Sequence, residues 1–269
     1  MIDQVAFGKF KYLALGDYPE LKDLWYRQLD HNVFCNLKHL VVQRCDFLSN
    51  VLFPSNVMQV LHTLKELEVK DCDSLETVFD IKGIKSKEIL IKQSSQLKRL
   101  SLSTLPNLKH IWNDDPYEII SFEKLCKVDV SMCQSLLCIF PYSLCLDLRH
   151  LEMLKIMSCG VKAIVAMEEA GSMKINFNFP QLKVMMLYQL TNLKSFYHGK
   201  HTLDCPSLKI LNVYRCEALR MFSSNNSDLQ QTYSVDENQD MIFQQPLFCI
   251  EKVNPTIPCF SLFINVIIH

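Results

Sequence analysis

The sequence is short of several things that would point to other kinds of protein. Only six of its 269 residues are glycine, too few for a glycine-rich phosphate cradle, and no GxxxxGK[ST] loop occurs anywhere. Charge of either sign shows no surplus: 28 basic side chains face 29 acidic ones. That balance offers no global attraction for a phosphate backbone, so nucleic acid is not an expected partner. Long apolar runs are missing too. MIDQVAFGKF has no secretory core, and Cys259–Ile268 falls well short of the roughly 20 residues a spanning helix needs. No membrane span is expected, and the compartment read from these features is cytoplasmic.

Cysteine is abundant, at twelve. Cys45, Cys72, Cys133, Cys159 and Cys216 each stand eight residues after a leucine that opens a recurring template. Equivalent positions of a repeat lie side by side, and pairing them would pinch the stack at every rung. The thiols are read as reduced, buried and structural.

The template is clearest in LKELEVKDCDSLETVF, Leu64 to Phe79. Leu67 and Val69 alternate as on a strand, Cys72 marks an inward turn, and Leu75, Val78 and Phe79 form a return segment. It recurs from Leu37, Leu125 and Leu208, with opening marks at Phe10, Leu37, Leu64, Leu97, Leu125, Leu151, Leu182 and Leu208. The steps between marks run from 26 to 33 residues, close to the roughly 20–29 typical of leucine-rich repeats. Repeats one, four and seven replace the cysteine by Tyr18, Leu105 and Leu190, and close on Trp25, Trp112 and Tyr197. Repeat six is one residue short at Gly160–Val161 and carries Val165 where the others have an aromatic residue.

The expected fold is α/β: a leucine-rich repeat solenoid, or horseshoe, with a parallel concave sheet and an irregular helix and loop convex side. About eight repeats fill 1–222, and 223–269 reads as a polar loop followed by a degenerate repeat whose strand does not come. Short helices are expected after Pro54 and Pro141, capped by Ser55 and Ser143, and loops over 114–121 and 197–206. Neither end shows the polar cap that solenoids normally need, so the chain is expected to be a segment of something longer.

Chemistry is hard to find. His198, His201 and Cys205 have a metal-like look, but without a second close pair they read as an exposed loop. Asp114–Asp115 and Glu168–Glu169 read as solvated acids, and Cys133, Cys138 and Cys145 as packing residues. No nucleophile and base stand in a supporting order. The expectation is no catalytic residue, no metal and no cofactor.

A surface is the better candidate. Outward strand positions change from charged in repeat three (Glu66, Glu68, Lys70) to apolar and aromatic in repeats six to eight. Met153, Met157, Met186, Tyr188, Ile210, Tyr214 and Arg215 are the candidate partner-binding residues, since Tyr, Met and Arg are enriched where proteins meet. The competing reading is that further protein covers them.

The units LxVxxCxxLxxxF and LPNLKHIW (Leu105 to Trp112), with VKDCDSLETVF (Val69 to Phe79), resemble the C-terminal repeats of plant intracellular disease-resistance proteins. Those carry a coiled coil, a nucleotide-binding domain and leucine-rich repeats. The resemblance covers about Phe10 to Phe222. It implies a module that binds a pathogen-derived effector or a guarded host protein and restrains a nucleotide-binding domain encoded elsewhere. Two other readings stay open: a truncated stand-alone decoy or inactive gene fragment, and a substrate-recruiting repeat of a ubiquitin ligase.

Overall fold

A computed structural model of the chain describes residues 10–17, 34–45, 50–82, 92–117, 119–167 and 175–219. Beyond these it gives the backbone of short strands at Phe222–Ser223, Tyr233–Val235, Met241–Phe243, Phe248–Cys249 and Phe263–Val266. Tyr18, Trp25, Glu168–Glu169, and most of the insertion after Lys82 and of the polar loop after Ser223 lie outside the described residues.

Each repeat contributes one five-residue strand to a single sheet: β1 (Tyr12–Gly16), β2 (His39–Gln43), β3 (Glu66–Lys70), β4 (Arg99–Ser103), β5 (Lys127–Ser131), β6 (Met153–Met157), β7 (Val184–Tyr188) and β8 (Ile210–Tyr214). Neighbours pair in parallel and in chain order, each joined to the next by a crossover through the return segment and the convex side. The register is unbroken: Leu13, Leu40, Leu67, Leu100, Val128, Leu154, Met185 and Leu211 form one inward row. Side chains alternate along a strand, so this row and the one through Val69 and Val130 face the core, where Leu67, Val69, Val128 and Val130 are fully buried. Each such side chain contributes roughly 1.5–3 kcal/mol, and only the next repeat can cover it.

A turn device closes every strand. Asp17, Arg44, Asp71, Thr104, Met132, Ser158, Gln189 and Arg215 all have φ between 49° and 57°. This left-handed conformation reverses the chain, and it adds one rung to the ladder, as when Asp71 N–H donates to Ser103 O at 3.1 Å. The cysteine then enters the core. Cys72 Sγ reaches Lys70 O at 3.3 Å, and the Cys133 and Cys159 thiols make the same bond to the carbonyl two residues earlier. Leu105 and Leu190 are buried at the same station without any such bond. All described cysteines are free thiols.

The return segments build a second layer. Val51–Phe53, Thr77–Phe79 and His110–Trp112 form a parallel three-stranded sheet. It continues as single bridges from Phe140 to Val165 and from Ala163 to Ser195, so Val165 takes the aromatic station in repeat six. Phe53 stacks on Phe79 at 5.4 Å and Phe79 on Trp112 at 5.7 Å, an aromatic spine behind the sheet.

The convex side departs from expectation. Ser55–His62 is a 3-10 helix, not a capped α-helix. The tighter, more elongated winding is what a short repeat can accommodate between two fixed strands. Helix α1 (Tyr142–Asp147) does form, but Pro141 holds its cap position and no side chain caps it. Ser143 lies inside the first turn, where its hydroxyl donates to Asp115 Oδ1. The expected loops at 114–121 and 197–206 contain strands: Ile120–Ser121 pairs with Gln93–Ser94, and His201–Asp204 with Ile175–Asn178. A neighbouring backbone at ladder distance decides these pairings, whatever the local composition. The strand that was not expected after Phe222 also comes, since Phe263–Val266 pairs parallel with β8, Ile210 opposite Phe263.

Candidate functional site

The outward rows of the sheet define the concave face. The first row runs Tyr12, His39, Glu66, Arg99, Lys127, Met153, Val184, Ile210, and the third runs Gly16, Gln43, Lys70, Ser103, Ser131, Met157, Tyr188, Tyr214. Lys155, Met186 and Asn212 lie between them. Rungs of a sheet lie about 4.8 Å apart, so the predicted patch residues are neighbours.

Among the described residues most charge on this face is self-paired from repeat two to repeat six, Lys127 excepted. Glu66 meets His39 at 3.2 Å and Arg99 at 3.9 Å, and Lys155 reaches Asp129 at 3.0 Å across β5 and β6. On the adjoining turn ridge Arg44 grips Asp17 through two bonds of 2.5 Å. The arginine holds the Asp17 carboxyl below the usual carboxylate range.

Past Lys155 no ion pair forms on the face among the described residues. Met153, Met157, Met186, Tyr188 and Tyr214 are half-buried, and Ile210 is 40% exposed. The Tyr188 and Tyr214 rings sit 6.3 Å apart at 51°, within the range of productive aromatic pairs. The Arg215 guanidinium lies 5.2 Å from the Tyr214 ring centre, a cation–π distance. These exposures hold with the ninth strand in place, because it extends the sheet beside β8 instead of lying over it.

One residue of this surface escaped the sequence reading. Met132 is 50% exposed on the turn ridge, one rung from Ser158. Its signal was available: it precedes Cys133 as Arg215 precedes Cys216. Between them, Ser158 Oγ donates to Gln189 Oε1 at 2.9 Å, a polar link along the same ridge.

The other candidate chemistry resolves into architecture. His201 is buried, not on an exposed loop: its ring lies about 6 Å from Phe177, Phe196 and Tyr197, and its Nδ1 is 2.9 Å from Gly199 O. Burial lowers its pKa. His198 Nδ1 lies 3.2 Å from the Ser195 hydroxyl, so the two histidines have separate partners. Burial pushes the Cys138 thiol up to about 11 and Cys205 to about 12. The Cys133 thiol is raised by its hydrogen bond with Cys159 and by burial. Asp114 and Asp115 organise their own loop, accepting from Asp115 N–H and Tyr117 N–H. Among the described residues no three His, Cys, Asp or Glu side chains gather as metal ligands, and no helix is long and apolar enough to cross a membrane.

The profile of one family, plant disease resistance protein RPS2-like leucine-rich repeats, matches residues 9–160. The chain belongs to this family. No curated protein and no solved structure matches it. The RPS2-like match spans repeats one to five and the strand and turn of repeat six, so Met153 and Met157 lie inside it, while Met186, Tyr188, Ile210, Tyr214 and Arg215 lie beyond. An RPS2-like repeat solenoid is a scaffold for protein interaction, and the family places it among recognition modules of plant defence.

Proposed function

We propose that this chain is the recognition surface of a cytoplasmic plant immune receptor, and that its partner docks on the concave face over repeats six to eight. The partner is a pathogen-derived effector or a guarded host protein. Through the same solenoid the chain restrains a nucleotide-binding domain that the parent receptor supplies. One observation carries the reading: Met153, Met157, Met186, Tyr188, Ile210 and Tyr214 form a contiguous outward patch, flanked by Arg215, where no ion pair forms on the face among the described residues. Tyrosine and arginine are enriched among the few residues that dominate binding energy at interfaces, and methionine is enriched in interface composition.

The test replaces Met186, Tyr188 and Tyr214 together by alanine. Their outward positions leave the core rows intact, so the melting temperature should move little. Capture of partner from infected plant-cell extract should fall at least about tenfold if the tyrosines are hot spots. Capture equal to that of the unaltered chain contradicts the proposal.

A further inference from the structure

A second surface stands on the rim where the chain enters each strand. The residue just before β1, β2, β3 and β4 is Lys11, Lys38, Lys65 and Lys98. The backbone stacks these four directly: Lys38 N–H donates to Lys11 O at 2.8 Å, Lys65 N–H to Lys38 O at 2.8 Å, and Lys98 N–H to Lys65 O at 2.7 Å. Lys11 and Lys98 are exposed, and Lys38 and Lys65 half-buried.

Among the described residues no other stacked run of like charge is as long; the Lys183–Lys209 and Lys162–Lys194 stacks hold two residues each. Along the turn ridge, Asp17, Arg44 and Asp71 alternate in sign, and further along the same rim Glu152 is paired with Lys183 at 3.2 Å. Like charges opposite one another on a sheet repel, so this run works against the fold. Among the described residues none of the four lysines has an ion pair; the acid closest in sequence, Glu66, is taken by His39 and Arg99.

We infer that the lysine rim of repeats one to four is a docking site for an acidic polypeptide segment laid across the strands. Opposite charge on the ligand is what a run of unpaired like charges selects. A phosphate backbone fits less well, because Glu66 and Glu68 line the concave face immediately beside the rim. A peptide can present acids to the lysines and neutral or basic side chains to those carboxylates. The site lies at the opposite end of the solenoid from the Met and Tyr patch and does not depend on it.

The experiment measures fluorescence anisotropy of a labelled peptide with glutamate at every second position, binding to the full chain at low and at physiological salt. Saturable binding that weakens with salt is expected. Lys38→Gln, Lys65→Gln and Lys98→Gln combined should weaken it at least about tenfold. Replacing Met186, Tyr188 and Tyr214 by alanine should leave it unchanged. Lys65→Glu should weaken peptide binding while keeping or raising the melting temperature, which separates docking from a structural role. The inference is overturned by no saturable binding, by binding that the glutamine variant retains, or by tighter binding of single-stranded DNA or phosphatidylserine vesicles than of the peptide.

Discussion

The sulfur of Cys72 accepts a hydrogen bond from the backbone N–H of Cys45, 3.4 Å away in the preceding repeat. The turn cysteine thus ties one repeat to the next as well as filling the core. Cys72→Ala removes both the acceptor and buried volume, and should cost about 1–3 kcal/mol. Urea unfolding of the variant, with the midpoint lowered at constant slope, checks this.

Gly160 allows repeat six to be short. A Cβ there would stand 1.9 Å from the Gln134 carbonyl oxygen, a backbone atom with nowhere to go. Gly160→Ala should therefore force the turn of repeat six away from repeat five, at a cost of about 1–3 kcal/mol. A drop in melting temperature larger than that of Ser158→Ala is the expected comparison.

Met132 occupies the left-handed region at φ 55° with half its side chain exposed. An unbranched L-residue is strained there, and asparagine tolerates the conformation far better. Met132→Asn should stabilise the chain by up to about 1 kcal/mol, whereas Met132→Val should destabilise it. Paired thermal melts of the two variants decide the point.

Much of the fold was legible because burial requires a fixed register. Leu64, Leu67, Val69 and Cys72 cannot shift by one residue without turning the core outward, and the same logic placed Met186 and Tyr214 on the concave face. The turn device was not legible, because its stations hold Asp, Arg, Thr, Met, Ser and Gln in place of the Gly or Asn that usually signals a left-handed residue. The strand His201–Asp204 was missed for another reason. Its partner, Ile175–Asn178, is set by stacking of repeats and leaves no mark on local composition. Neighbour relations across strands, such as Lys155 with Asp129, also emerge only once the repeats are stacked.

Acid should weaken the convex side. Burial lowers the pKa values of His201, His198 and His110 in the folded chain, while in the unfolded chain an imidazole titrates near about 6.5. Below that pH the unfolded state binds more protons, so stability is full above about 6.5 and declines as pH falls towards the lower folded values. His201→Phe should flatten that decline, since a neutral ring suits its aromatic surroundings. Melting temperatures of both proteins across pH 5 to 8 test it.

The most direct test of the concave patch is site-specific photo-crosslinking in infected plant cells. A photoreactive residue in place of Met186 should give a discrete adduct with partner, and one in place of Tyr117, exposed on the convex side, should not. Adducts at Tyr117 with none at Met186 would contradict recognition through the concave face.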